Sequence, residues 1–121
     1  MKINRFEDLL AWQEARKLTE RIYTLTNRER FSKDFGLRDQ VQRASVSVMA
    51  NIAEGFDAKS QSEFIHFLTY SRRSASEVQS HLYVALDQSY IFEEDFNQAY
   101  GVIHKTKNLI GGLIRYLSNR R

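Results

Sequence analysis

The chain contains no proline in 121 residues and only five glycines. Proline and glycine are the ordinary punctuation of loops and tight turns, so their scarcity favours a few long helices joined by short connections. No run of alternating apolar and polar residues bounded by Gly or Asn turns competes with that reading. Helical periodicity then divides the chain into four segments. The first begins near Asn4, a capping residue with Glu7 at capping-box spacing, and ends near Thr26, before the polar stretch Asn27 to Lys33. The second is predicted from Lys33, with Ser32 as cap, to Gly55, whose lack of a Cβ suits a left-handed helix end. The third opens at Ser60 with Glu63 three residues on and continues to about Gln88. Its residues Phe64, Leu68, Ser71, Ala75, Val78, Leu82 and Ala85 alternate steps of four and three, the pattern of a bundle seam. The fourth follows Ser89 to Phe92, with Glu93, Glu94 and Asp95 complementing its N-terminal dipole and a stripe of Phe96, Ala99, Ile103, Ile110, Ile114 and Leu117. Gly111 and Gly112 in that helix signal either a close approach or a bend. The expected fold is all-α, a single-domain antiparallel up-down four-helix bundle over residues 1–121.

Composition bounds the function. At 42% apolar and 27% charged, the chain has the makeup of a folded domain, and the absence of cysteine excludes disulfide frameworks, thiolate metal sites and cysteine nucleophiles. No segment resembles a signal peptide or a membrane span, so the expectation is a cytoplasmic protein that does not engage membranes. The chain lacks a Gly-rich phosphate loop, a G-x-S-x-G elbow and an H-E-x-x-H pair, and no catalytic activity is expected. Di-iron bundle sites need Glu-x-x-His from two helices, and Glu63-Phe64-Ile65-His66 supplies it once. Neither a metal nor another cofactor is expected.

Two features remain after the core is assigned. On the first helix, Ala11, Ala15, Leu18, Ile22 and Leu25 form the core face, while Leu9, Trp12, Arg16, Thr19 and Tyr23 form a second stripe centred more than about 120° away. Trp, Tyr and Arg are enriched at the centres of protein contacts, so Leu9, Trp12, Arg16 and Tyr23 are the expected interface of a homo-oligomer. The second and third helices carry polar lines, Gln40, Arg43, Ser47, Asn51 and Glu54 on one and Glu63, Ser74 and Glu77 on the other. These are expected to form a structural network in which Arg43 reaches Ser74 or Glu77.

The net charge of +3 conceals a marked asymmetry. Residues 1–30 hold seven basic and five acidic groups, residues 31–60 four and four, residues 61–98 two and six, and residues 99–121 five and none. Lys105, Lys107, Arg115, Arg120 and Arg121, with Arg16 and Arg21 of the first helix, are candidates for phosphate contacts. Basic residues at a helix C-terminus also complement its dipole and favour solubility, so the charge pattern alone leaves both readings open.

The run Phe6-Glu7-Asp8-Leu9 with Trp12 and Ala15, followed by Leu37, Gln40, Arg43-Ala44, Ser47 and Asn51-Ile52-Ala53-Glu54-Gly55, resembles the four-helix bundle proteins encoded in intervening sequences of bacterial 23S ribosomal RNA. Ser60, Glu63-Phe64, Phe67-Leu68, Ser74, Glu77 and Leu82 continue the resemblance along nearly the whole chain. It implies a non-catalytic bundle that assembles into rings, typically pentamers, and kinship with the accessory variability protein of diversity-generating retroelements. That kinship in turn implies RNA or DNA, and a reverse transcriptase or other nucleic-acid enzyme, as partners. In a ring the modest positive charge would be multiplied and focused. The competing function is a protein-interaction scaffold that recruits such an enzyme without touching nucleic acid itself.

Overall fold

The computed structural model of the protein describes residues 2–120. A 3₁₀ turn, Phe6–Asp8, precedes five helices: α1 Leu10–Thr26, α2 Glu29–Lys33, α3 Phe35–Phe56, α4 Gln61–Asp87 and α5 Glu93–Ser118. Among the described residues there is no strand. The four long helices form a closed cycle of neighbours, α1 on α3, α3 on α4, α4 on α5 and α5 on α1. Their inward faces supply one hydrophobic cluster in which Leu18, Ile22, Val48, Ile52, Leu68, Leu82, Ile103 and Ile110 are fully buried. Each such side chain contributes roughly 1.5–3 kcal/mol of transfer free energy, which is what holds long helices of modest intrinsic propensity in place.

The α4 seam is as the periodicity predicts: Leu68, Ser71, Ala75, Val78, Leu82 and Ala85 are all buried, and Phe64 packs at the core margin. Ser60 caps this helix, its Oγ accepting from the Glu63 N–H at 3.1 Å, while the Glu63 carboxylate accepts from the Lys59 N–H at 3.2 Å. Helix α5 likewise follows its stripe and passes through Gly111 and Gly112 without interruption.

Three boundaries differ from the sequence reading. Asn4 caps nothing helical. The chain makes the 3₁₀ turn first, and α1 starts at Leu10 with Gln13 Nε2 donating to the Glu7 carbonyl at 3.0 Å. The stretch between the first two long helices is not a plain break, because Phe31 is pulled into the core, 1% exposed, and winds Glu29–Lys33 into a helical turn. Asp34, rather than Ser32, then caps α3 by accepting from the Leu37 N–H at 3.1 Å.

Gly55 is the third. It has no positive φ, and the helix continues through it to Phe56. A Cβ at this position would lie 2.9 Å from Phe64 Cδ1 and 2.9 Å from Phe67 Cβ. The glycine is therefore required by the approach of α4, not by a left-handed turn. Small residues sustain that approach along the pair: Ser71 Oγ donates to the Val48 carbonyl at 2.6 Å, and the Ser47 and Ser74 hydroxyls share a hydrogen bond of 2.9 Å. Gly101, by contrast, lies in mid-helix with nothing within 4 Å of an added Cβ. Gly101→Ala is expected to raise stability by about 0.5–1 kcal/mol, whereas Gly55→Ala is expected to lower it by about 1–3 kcal/mol through overpacking. Urea melts of the two variants check this, and a stabilised Gly55→Ala would show that α4 does not need the close approach.

Candidate nucleic-acid interface

Helix α5 is electrically polarised by its sequence. Glu93, Glu94 and Asp95 occupy the first turn, and from residue 96 onward the chain has no acidic side chain. Asp95 has two duties. Its Oδ2 accepts from the Phe92 N–H at 2.9 Å, closing the helix start, and its carboxylate receives both terminal nitrogens of Arg28, Nη2 to Oδ1 at 2.9 Å and Nη1 to Oδ2. The hydrogen bonds from Arg28, reinforced by that of the Phe92 N–H, hold the Asp95 carboxyl below its ordinary range, and Asp95 holds the Arg28 guanidinium above its own. This pair ties the α1–α2 connection to the head of α5.

The basic residues selected from the sequence do not form one group. Lys105 faces α1, where its Nζ lies 3.6 Å from the carboxylate of buried Glu14, which Lys17 also approaches at 3.7 Å. Arg21, on the same side, donates to Gln98 Oε1 at 2.9 Å, and Arg16 lies over the Trp12 ring at 5.7 Å. Lys107 faces α4 instead and donates to Ser76 Oγ at 2.9 Å and Gln79 Oε1 at 3.2 Å, with no acid. Arg115 folds back over Gly111 and Gly112, and Arg120 donates to the Tyr116 hydroxyl at 3.2 Å. Arg121 lies outside the described residues.

Two arginines missed by the sequence reading join the second group. Arg72 reaches from α4 to Gly111, and Arg73 lines an open cleft of about 710 Å³ between the start of α4 and the end of α5. Gln61 bridges that cleft's base, its Nε2 donating to the carbonyls of Leu117 and of Arg120. Among the described residues the cleft lining includes His66, Arg73 and Arg120 but no Asp or Glu. The signal was present in the sequence: residues 64–76 carry no acid. It was hidden because Glu63, Glu77 and the acids around Glu93 were summed with Arg72 and Arg73.

The expected oligomer stripe is partly consumed within the protomer. Leu9 is a core residue, 8% exposed. Thr19 packs on α3, its hydroxyl donating to the Ser45 carbonyl at 3.0 Å. Trp12 is half-covered by Phe6, edge-on at 5.3 Å, because the 3₁₀ turn folds over it. Of the stripe, Tyr23 and Arg16 remain exposed. An apolar cleft of about 430 Å³ adjoins the stripe at Leu9, lined also by Ile3, Leu10, Ala11, Leu109 and Leu113, with Leu10 65% exposed.

The polar network is smaller than expected. Ser47 and Ser74 meet, and Asn51 Nδ2 donates to the Ser47 carbonyl at 2.9 Å and to its Oγ at 3.0 Å. Arg43 does not reach Ser74 or Glu77. It is exposed, and among the described residues it makes no side-chain hydrogen bond or ion pair; the same holds for Gln40 and Glu54. Glu77 instead faces His81 at 3.4 Å, and Glu63 serves the backbone of Lys59. The arginine stem spans the gap only if its charge is drawn inward, and no buried acid is there to draw it. No group of three or more His, Asp or Glu side chains that could share a metal ion occurs among the described residues. Nor is any helix among them long and apolar enough to cross a membrane.

Comparison with known proteins finds a matching family model and similar solved structures. The model of a family described as 23S rRNA-intervening sequence protein matches residues 7–112. The fold is similar to the crystal structure of a protein of unknown function from the S23 ribosomal protein family of Bacteroides thetaiotaomicron. The TM-score is 0.79 at 24% identity, covering 87% of this chain and 98% of that one. No curated protein matches the chain.

The Arg28–Asp95 pair sets a pH-dependent test. Asp95→Asn keeps an acceptor for the Phe92 N–H but loses the charged pairing, at an expected cost of about 1 kcal/mol after allowance for its partial exposure. Because the folded-state pKa of Asp95 is depressed, this contribution is full at pH 7 and is lost as pH falls through that pKa. Urea melts of parent and variant are expected to differ at neutral pH and to converge in strong acid. Coincident melts at pH 7 would refute the assignment.

Proposed function

The chain belongs to the 23S rRNA-intervening sequence protein family, and from that premise we propose a non-catalytic, cytoplasmic, antiparallel up-down bundle that joins copies of itself into a pentamer and binds RNA or DNA through its basic α5. The observation that carries the nucleic-acid reading is that the chain has no acid after Asp95, while the same run carries half-buried Lys107 and exposed Arg115 and Arg120. Binding of this kind is electrostatic and positions a backbone; it does not read bases in grooves. The family's description and the S23 ribosomal name of the structural neighbour, both referring to the ribosome, are in keeping with it.

The up-down reading is supported by the order of contacts, since rising residue numbers on one helix meet falling numbers on the next. Ser47 meets Ser74 while Gly55 lies against Phe64. Thr19 meets Ser45 while Thr26 meets Gln42. Self-assembly is favoured by exposed Leu10 beside the apolar cleft and by exposed Tyr23, surfaces a solitary protomer leaves in water. The kinship with the accessory variability protein belongs to the same proposal, with a reverse transcriptase or other nucleic-acid enzyme as the protein partner.

Sedimentation at micromolar concentration is expected to give a species several times the 14.2 kDa protomer; a lone protomer would remove the ring. Filter binding with a structured ribosomal RNA fragment is expected to weaken steeply with salt, the logarithmic slope being about −0.9 per phosphate engaged in a duplex. Absence of binding at low salt would leave the scaffold that recruits an enzyme as the better reading.

A further inference from the structure

The cations of α4 and α5 are arranged more closely than a generic positive surface requires. Arg72 and Arg115 come from different helices, yet each places an Nη1 3.6 Å from the point that a Gly111 Cβ would occupy. Their two guanidinium groups therefore lie within about twice that distance of one another. Neither forms an ion pair or a side-chain hydrogen bond among the described residues. Like charges brought together without an acid repel, and an anion between them turns that repulsion into paired, charge-assisted hydrogen bonds. The planar forks of two arginines suit a phosphate.

The pair is the middle of a line. Towards one end of the α4–α5 groove lies Lys107, held by Ser76 and Gln79. Towards the other lie Arg73 and Arg120 in the open cleft. From Lys107 to Arg120 the groove runs about 20 Å along the helix, with no acidic residue between positions 64 and 76 on α4 or after position 95 on α5. One tyrosine borders the cleft end of this line. Tyr70, 44% exposed, has Arg73 over its ring at 6.0 Å and its hydroxyl 3.0 Å from His66 Nε2. Tyr116 lies about 140° round α5 from Gly111, off the groove. Cations in a line beside an exposed aromatic ring fit a strand whose bases are free to stack, and not a duplex whose bases are already stacked inside.

We propose that the α4–α5 groove is a site for single-stranded nucleic acid, with Arg72 and Arg115 clamping a backbone phosphate over Gly111 and Tyr70 stacking a base. This rests on the nucleic-acid reading above and narrows it to one groove and one form of ligand.

The test is a fluorescence-anisotropy titration of the full chain with a fluorescein-labelled 12-nucleotide RNA of mixed sequence, and with a blunt duplex of the same length. The single strand is expected to bind more tightly. Arg72→Ala combined with Arg115→Ala is expected to weaken it at least tenfold and to reduce the magnitude of its salt slope by about 0.7, the value for one phosphate of a single strand. Tyr70→Leu is expected to weaken it about fivefold or more, with the salt slope unchanged. Lys33→Ala with Arg43→Ala, exposed on α2 and α3, is expected to change it less than twofold. Should the double arginine variant not fold, the single changes Arg72→Gln and Arg115→Gln carry the same test, each with an expected loss of severalfold. If the parent binds but the groove variants bind as well as it does, or the duplex binds as well as the single strand, the groove assignment falls while the broader reading stands. If the parent binds neither RNA, both fall.

Discussion

The close seating of α4 against α3 is the constraint from which the rest of the bundle is built. Gly55 removes the Cβ that would strike Phe64 and Phe67, Ser47 and Ser74 meet hydroxyl to hydroxyl, and Ser71 spends its proton on the Val48 carbonyl. Serines serve here because each is small enough for the backbones to approach and each finds its hydrogen-bond partner within the pair, and among the described residues no buried side-chain nitrogen or oxygen is left unsatisfied. With these two helices in register, the wide apolar face of α3 and the seam of α4 form a trough that α1 and α5 close. The groove between α4 and α5, where the unpaired arginines lie, inherits its geometry from the same seating.

What could be read in advance was whatever depends on local periodicity. The α4 seam and α5 stripe recur over many turns, so a single misplaced residue does not disturb the pattern, and the capping serine at Ser60 acts on its own neighbours. What could not be read depends on contacts between distant segments. Phe31 makes a helical turn of a polar stretch only because a vacancy in the core accepts it, and Trp12 loses its surplus exposure only because Phe6 folds across it. Gly55 is legible as glycine-requiring, but whether a glycine serves a turn or a neighbour is decided by the neighbour. Arg43 illustrates the converse. A polar line beside an apolar arc suggested inward pairing, while in the folded chain it is exposed.

Charge was legible in amount and not in arrangement. The acid-free C-terminal span stands out in the sequence, and it carries exposed Arg115 and Arg120. Which of its residues retain an unmatched charge depends on what each faces. Lys105 and Lys107 are separated by two positions, which on a helix points them to different neighbours, so one meets Glu14 and the other Ser76 and Gln79. Arg72 and Arg73 sit in a region that is acidic on average yet face the basic edge, because fourteen residues of α4 from Phe64 to Glu77 present only cations and neutral groups until the last.

The two ends of the bundle are differently fastened. At one end Phe31 stacks on Tyr90 at 5.4 Å, the Tyr90 hydroxyl donates to Asp34 at 2.9 Å, and Asp34 in turn caps α3. This aromatic plug locks the α1–α3 and α4–α5 connections to each other, with Ser89 in a left-handed conformation making the tight corner. The far end is held by other means: Gly55 seats α3 on Phe64 and Phe67 of α4, Phe56 meets Phe64 edge-on at 6.1 Å, and the Gln61 side chain spans from α4 to the tail of α5. The arms carrying Arg73 and Arg120 are thus laced together by one amide, whose two hydrogen bonds bridge that mouth.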